Sequence, residues 1–139
     1  MSLCEKPARK LFINHCAKLK QVESNHQKNY RSWTLSYKNK TFPVELIWIQ
    51  GSIVKVLKSE DSFVIGDSTG TATIVSASKA PGYGSWITND QYAMVVGEVL
   101  STETNIGIRA LKLTMLSDLN PEALWKLEVQ DFWDFLAKS

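Results

Sequence analysis

Val44-Glu45-Leu46-Ile47-Trp48-Ile49-Gln50-Gly51-Ser52-Ile53-Val54-Lys55-Val56-Leu57 decides the fold. The run is long and rich in β-branched residues, which fit a pleated, half-buried surface better than a helix. Gly51 interrupts it. A glycine inside such a run marks a bulge or a sharp bend, and a bend lets one strand serve two sheets. Four more runs of the same character follow. Ser62 to Ile65 leads into Gly66-Asp67-Ser68-Thr69-Gly70, a tight turn in which Asp and Ser bond back to the backbone and Gly takes positive φ. Thr71 to Ser76 completes that hairpin. Ala77 to Asp90 reads as a loop, punctuated by Pro81, Gly82 and Gly84. Tyr92 to Leu100, with Gly97 inside, and Ile106 to Leu116 are the fourth and fifth strands, joined by a turn at Ser101 to Asn105.

Five strands bent at glycines predict a small closed barrel. The long connection between the third and fourth is that of a five-stranded Greek-key barrel of the oligonucleotide-binding (OB) type. The expected architecture is mainly β: residues 41–117 form the barrel, between an N-terminal helix with a basic connector (1–40) and a C-terminal interface helix (118–139). In the first part Pro7 suits a first turn. Leu11, Phe12, Cys16 and Leu19, with Ile13 beside them, make an apolar stripe at helical spacing. Trp33, Leu35 and Tyr37 alternate with polar residues and predict a short edge strand. In the last part Asn120 is a good N-cap, Pro121 fits the first helical position, and Glu122 favours the helix dipole. That helix is expected to run to about Ala137.

The chain has 139 residues, 44% of them hydrophobic and 22% charged. This suits one domain that needs no metal or disulfide to hold a core. No apolar run approaches the ~20 residues that span a bilayer, and no apolar segment of secretory type follows the basic start, so a soluble, intracellular protein is expected. Cys4 and Cys16 make no disulfide framework, and Cys16 reads as a small core residue. Charge is uneven. Residues 1–40 carry nine Lys/Arg and two Glu, a net +7; residues 41–117 are at −2 and residues 118–139 at −3.

No catalytic constellation emerges. His15 and His26 both lie in the basic N-terminal part, away from the carboxylates. Gly66-Asp67-Ser68-Thr69-Gly70 has G-x-S-x-G spacing, but it joins two strands rather than a strand to a helix and so makes no nucleophile elbow; there is no Walker loop or GxGxxG. Asp67 with Glu60 and Asp61 reads as turn chemistry rather than a metal site. No catalytic, cofactor-binding or metal-ligating residue is assigned.

The C-terminal helix is the informative feature. Trp125, Val129, Phe132 and Leu136 follow i, i+4, i+7, i+11 on one face. Leu124, Leu127, Trp133 and Phe135 are apolar too and point elsewhere. A helix that packs on one barrel needs one stripe, so the surplus predicts a partner seam. On the fifth strand Leu111, Leu113 and Met115 read as core. Ile108, Ala110, Lys112 and Thr114 read as the outer face, with Lys112 at the seam. The expected partner-binding residues are Lys112, Leu124, Trp125, Leu127, Val129, Phe132, Phe135 and Leu136. A binder of single strands would need a basic groove with stacking aromatics. The second and third strands offer only Phe63.

Trp48-Ile49-Gln50-Gly51, Asp67-Ser68-Thr69-Gly70, Tyr92-Ala93-Met94-Val95-Val96-Gly97 and Leu116-Ser117-Asp118-Leu119-Asn120 leading into Leu124-Trp125-Lys126-Leu127-Glu128-Val129 together resemble the RecQ-mediated genome instability protein 2 family. The resemblance covers roughly residues 42–131, and Ala110 through Val129 is its most specific part. It implies a non-enzymatic, nuclear, single OB-fold subunit without cofactor. Such a subunit pairs obligately with the C-terminal OB domain of RecQ-mediated genome instability protein 1. The pair joins topoisomerase III alpha and a Bloom-type RecQ helicase in double Holliday junction dissolution, and helps dock the Fanconi anaemia group M helicase. DNA contact is then weak or indirect, and no membrane is involved. Lys112 matches a position near the family's docking surface, and Trp125 its helix tryptophan. The alternative is a single-stranded-DNA-binding small subunit of a replication- or telomere-type OB complex.

Overall fold

The computed structural model describes residues 6–22, 30–117 and 121–138. Cys4, His26 and the expected N-cap Asn120 lie outside the described residues. Five strands make the barrel: β5 (Leu46–Leu57), β6 (Ser62–Asp67), β7 (Gly70–Val75), β8 (Tyr92–Ser101) and β9 (Gly107–Met115). They are ordered β5-β6-β7-β9-β8, and β8 returns to pair with β5. The single parallel pairing in that ring, β7 with β9, closes the Greek key.

β5 does what its glycine predicts. Ile47 to Ser52 pair with β8, and Ser52 to Leu57 pair with β6. Gly51 sits at the changeover, where a Cβ would stand only 2.4 Å from the Gly66 carbonyl oxygen. No side chain could let β5 and β6 approach so closely. In the β6–β7 turn Gly70 does not take positive φ; among the described glycines only Gly82 does, at 94°. Asp67 shapes that turn instead. Its Oδ1 accepts from the Thr69 and Gly70 amides and the Thr69 hydroxyl, at 2.7, 3.1 and 2.6 Å.

Among the described residues four strands lie outside the barrel. β1 (Ala8–Lys10) runs parallel to β5, and β2 (Lys20–Gln21), β3 (Trp33–Tyr37) and β4 (Lys40–Val44) make a separate three-stranded sheet. The strand expected at Trp33 to Tyr37 is β3, but it lies in the middle of its sheet, paired with β2 on one side and β4 on the other, and not at an edge. The N-terminal helix is not what the stripe predicted: α1 spans only Ile13–Cys16. The spacing Leu11, Ile13, Cys16, Leu19 suits a strand, one helical turn and an extended exit as well as it suits a continuous helix. All four are buried. Pairing with β5 and the Leu11 amide bond to the Trp48 carbonyl override helix propensity there. The turn at Asp67 caps this short helix: Asp67 Oδ2 accepts from the Ile13 amide at 2.9 Å, and Thr69 Oγ1 from the Asn14 amide at 3.0 Å.

The expected faces of β9 are also corrected. Ile108 and Ala110 are buried, Leu113 is buried, and Met115 is 47% exposed. Gly97 pairs with Ala110 but Val96 with Lys112, so Leu111 is an extra residue in the ladder. That bulge resets the alternation, which a strict two-residue period cannot anticipate.

Candidate partner interface

The C-terminal helix α2 (Pro121–Ala137) has two apolar faces. The inner one is Trp125, Val129 and Trp133, spaced i, i+4, i+8 and all buried, with Phe132 and Leu136 packed partly against the same core. Trp125 stacks on Trp48, with ring centroids 5.6 Å apart and planes 28° from parallel. The Lys10 ammonium lies 4.8 Å from the centre of the Trp48 ring. Trp133 is boxed edge-on by Phe42 and Phe132, each with its ring centroid 5.5 Å away, and meets Tyr37 at 5.7 Å. The sheet is therefore a wall against which the end of α2 is set.

Charge reinforces that wall. The Tyr37 hydroxyl and the Lys38 ammonium both donate to Asp134 Oδ1, at 3.0 and 2.9 Å. Those two bonds hold the Asp134 carboxyl below the usual carboxylate range. Where α2 begins, a cleft of about 790 Å³ is lined by Phe12, Asp67, Tyr92, Glu122, Trp125 and Lys126. Burial, with the Glu122, Asp67 and Glu128 charges behind it, pushes the Tyr92 phenol up to about 12.

The outer face is Leu124, Leu127 and Phe135, exposed at 60%, 59% and 72%. At 3.6 residues per turn these three fall within a sector of about 80°. Glu128 and Asp131 share that side. Lys112 is exposed on β9, past the bulge.

The eight residues expected at a seam thus separate. Leu124, Leu127, Phe135 and Lys112 present surface. Trp125 and Val129, at 2% and 0% exposure, are spent on the chain's own barrel, and Phe132 and Leu136 mostly so. The sequence reading missed Trp133, the most enclosed large side chain of the helix. Its signal was available: at 3.6 residues per turn Trp133 falls only about 40° beyond Val129, on the flank of the stripe that Trp125, Val129, Phe132 and Leu136 make.

A model of the RecQ-mediated genome instability protein 2 family matches residues 7–133. The chain belongs to that family. Curated family proteins from Mus musculus and Bos taurus are each 31% identical to it over 93 residues, 64% of this chain. The match spans 60% and 57% of their own lengths, and 64% of a Gallus gallus relative that is 31% identical over 88 residues. The chain therefore spans less than two thirds of these relatives. Among solved structures, a chain of the Schizosaccharomyces pombe Stn1-ten1 complex superposes with a TM-score of 0.69 at 18% identity, covering 96% of each chain. A chain of a replication protein A heterotrimer bound to single-stranded DNA superposes at 0.65 and 15% identity, covering 91% of this chain and 94% of that one. Yeast Stn1 and Ten1 give 0.64 at 20%, covering 98% and 77%. These likenesses show the fold: the family's barrel here is an OB fold, elaborated by the sheet and α2.

Proposed function

We propose that the chain is a non-catalytic OB-fold subunit that pairs, through the outer face of α2, with the C-terminal OB domain of RecQ-mediated genome instability protein 1. Through that pairing it joins topoisomerase III alpha and a Bloom-type RecQ helicase in the nucleus. There it stabilises the assembly that dissolves double Holliday junctions and, with Lys112, contributes to docking of the Fanconi anaemia group M helicase.

One observation carries the reading. Leu124, Leu127 and Phe135 are exposed on a helix whose inner face is already filled. A helix satisfied by its own barrel gains nothing from a second apolar face, whereas an interface helix needs one. An obligate pairing of this kind buries upward of ~2,000 Å². Family membership supports a role in genome maintenance.

The test is co-expression with the tagged C-terminal OB domain of protein 1. The parent chain co-purifies with it, and Leu124→Asp/Leu127→Asp does not. Retained co-purification of that variant would move the seam off α2. Trp125→Asp is a poor probe, because Trp125 is buried against Trp48 and its loss would undock the helix whatever the partner.

The rival reading, a barrel that holds single-stranded DNA, has less support. The outer side of β6 and β7 carries Val64, Gly66, Thr71, Thr73 and Val75, while Phe63 points into the core at 0% exposure. Nothing there can stack on bases. Anisotropy with labelled oligo-dT at low salt tests it. Deleting residues 1–40 would not be informative, because Leu11, Ile13, Trp33 and Leu35 belong to the core.

A further inference from the structure

The sheet β2-β3-β4 has two chemically different faces. Its inner face is core: Trp33, Leu35 and Val44 are buried, and Tyr37 and Phe42 pack on Trp133. Its outer face is basic and hydroxylated. Lys20 pairs with Thr34, Thr34 with Pro43 and Ser36 with Thr41, so these residues share one side. Arg9 extends the row past Pro43, to whose carbonyl its Nε donates at 3.3 Å. Lys18 and Lys20 are exposed on either side of the buried Leu19.

Adjacent strands lie about 4.8 Å apart, which puts the Lys20 and Pro43 backbones roughly 10 Å from each other. That is close to one Debye length at moderate salt, so the charges act together. Among the described residues Glu45, past Pro43, is the acidic group at the end of this row, and it already accepts from the Ser32 hydroxyl at 3.1 Å. Residues 6–22 and 30–44 contain eight Lys/Arg and no Asp or Glu. Glu45 and Asp134, from outside these segments, pair with Lys6 and Lys38. Lys18 and Lys20 form no ion pair among the described residues.

We propose that this outer face binds the sugar–phosphate backbone of nucleic acid without reading its sequence. Lysine, arginine and Ser/Thr hydroxyls are the groups that contact phosphates, and such contacts fix position rather than sequence. Among the described residues of β2, β3 and β4, no aromatic side chain stands on this face to stack on a base. Duplex and single strand therefore bind according to their phosphates, unlike the base-stacking mode of an OB groove. Because the inner side of the sheet faces Trp133, the outer face of α2 stays free while nucleic acid is held. This surface is independent of the pairing proposed above.

The test uses the full chain and a fluorescein-labelled duplex of roughly 20 base pairs and arbitrary sequence, titrated by anisotropy from about 25 to about 200 mM salt. Three contacts (Arg9, Lys18 and Lys20) give a slope of log K against log salt near −3, at about 0.9 per neutralised phosphate. Lys18→Glu/Lys20→Glu is expected to weaken binding by about tenfold or more and to flatten the slope by about 2. Lys58→Glu/Lys79→Glu makes the same change in net charge on the barrel loops and is expected to leave binding nearly intact. Lys18→Gln/Lys20→Gln serves if the charge reversal impairs folding. Equal loss from both charge-reversal pairs would reduce the effect to bulk charge and overturn the proposal. No binding by the parent at the lowest salt would overturn it as well. Sedimentation with phosphatidylserine vesicles in the absence of DNA binding would assign the face to a membrane instead.

Discussion

Trp133 donates its indole N–H to the carbonyl oxygen of Lys10 at 2.6 Å, joining residues 123 positions apart. Lys10 therefore serves α2 at both ends. Its carbonyl holds Trp133, and its ammonium lies over Trp48, on which Trp125 stacks. The helix is built into the fold through β1, and this is why only its other side is left for a partner.

Replacing Trp133 tests that lock. Trp133→Phe keeps most of the apolar volume but leaves the Lys10 carbonyl without its donor, for an expected cost of about 1–3 kcal/mol. Trp133→Ala also empties the box formed by Tyr37, Phe42 and Phe132, for about 3–5 kcal/mol. Urea unfolding followed by circular dichroism reads both. A Phe variant as stable as the parent would mean that packing alone seats the helix.

Asp67 joins two remote pieces of chain in the same way. Oδ1 organises the β6–β7 turn while Oδ2 caps α1 at Ile13. Asp67→Ala strands several amides at once and is expected to lose about 1–3 kcal/mol. Hydrogen exchange should show the loss at the Ile13 and Gly70 amides together. Faster exchange at Gly70 alone would mean that the turn and α1 are not coupled.

The barrel was legible because its signals are local. The β-branched run around Gly51 and the aspartate turn between β6 and β7 each lie within a short stretch of chain. In the N-terminal layer the alternation at Trp33 to Tyr37 gave a strand, but the stretch before it was not legible, because its structure comes from pairing with β5 and the Trp133 box, contacts that no window of sequence contains. Leu11 to Leu19 fits two secondary structures equally, and tertiary pairing chooses between them. The β9 faces failed for a related reason: the bulge at Leu111 answers to the partner strand at Gly97, where a Cβ would stand 2.4 Å from the Arg109 carbonyl oxygen. On α2, periodicity identified a two-faced helix but could not say which face the barrel would take.

His15 gives the fold a pH dependence. Its Nδ1 accepts from the Phe12 amide at 3.1 Å, so the ring is neutral in the native state. Burial, helped by the Lys18 charge and opposed by Asp67, lowers its pKa from the ordinary 6.5. Below that ordinary value the unfolded chain takes up a proton that the native chain refuses. The stabilisation is therefore complete above about pH 6.5 and fades as pH falls through the lowered native pKa. His15→Gln, which keeps an acceptor without the titration, should flatten the stability–pH curve on the acid side of pH 6.5. An unchanged slope would place the titrating group elsewhere.

The outer face of α2 should make the unpartnered chain associate with itself. The cause is Leu124, Leu127 and Phe135, and not the helix tryptophans, which are enclosed. Three large apolar side chains in one sector, interleaved with Glu128 and Asp131, leave water contacts that a second molecule can remove. Leu124→Glu/Leu127→Glu/Phe135→Glu should sediment as a monomer at concentrations where the parent does not. Its stability should shift by no more than about 0.5 kcal/mol per site, since all three side chains are mostly exposed. The same substitutions should abolish pairing with the proposed partner, because self-association and pairing draw on one surface. A parent chain that sediments as a single monomer across that range would mean the face is too small or too well screened to be sticky. The case for a seam on α2 would then fall with it.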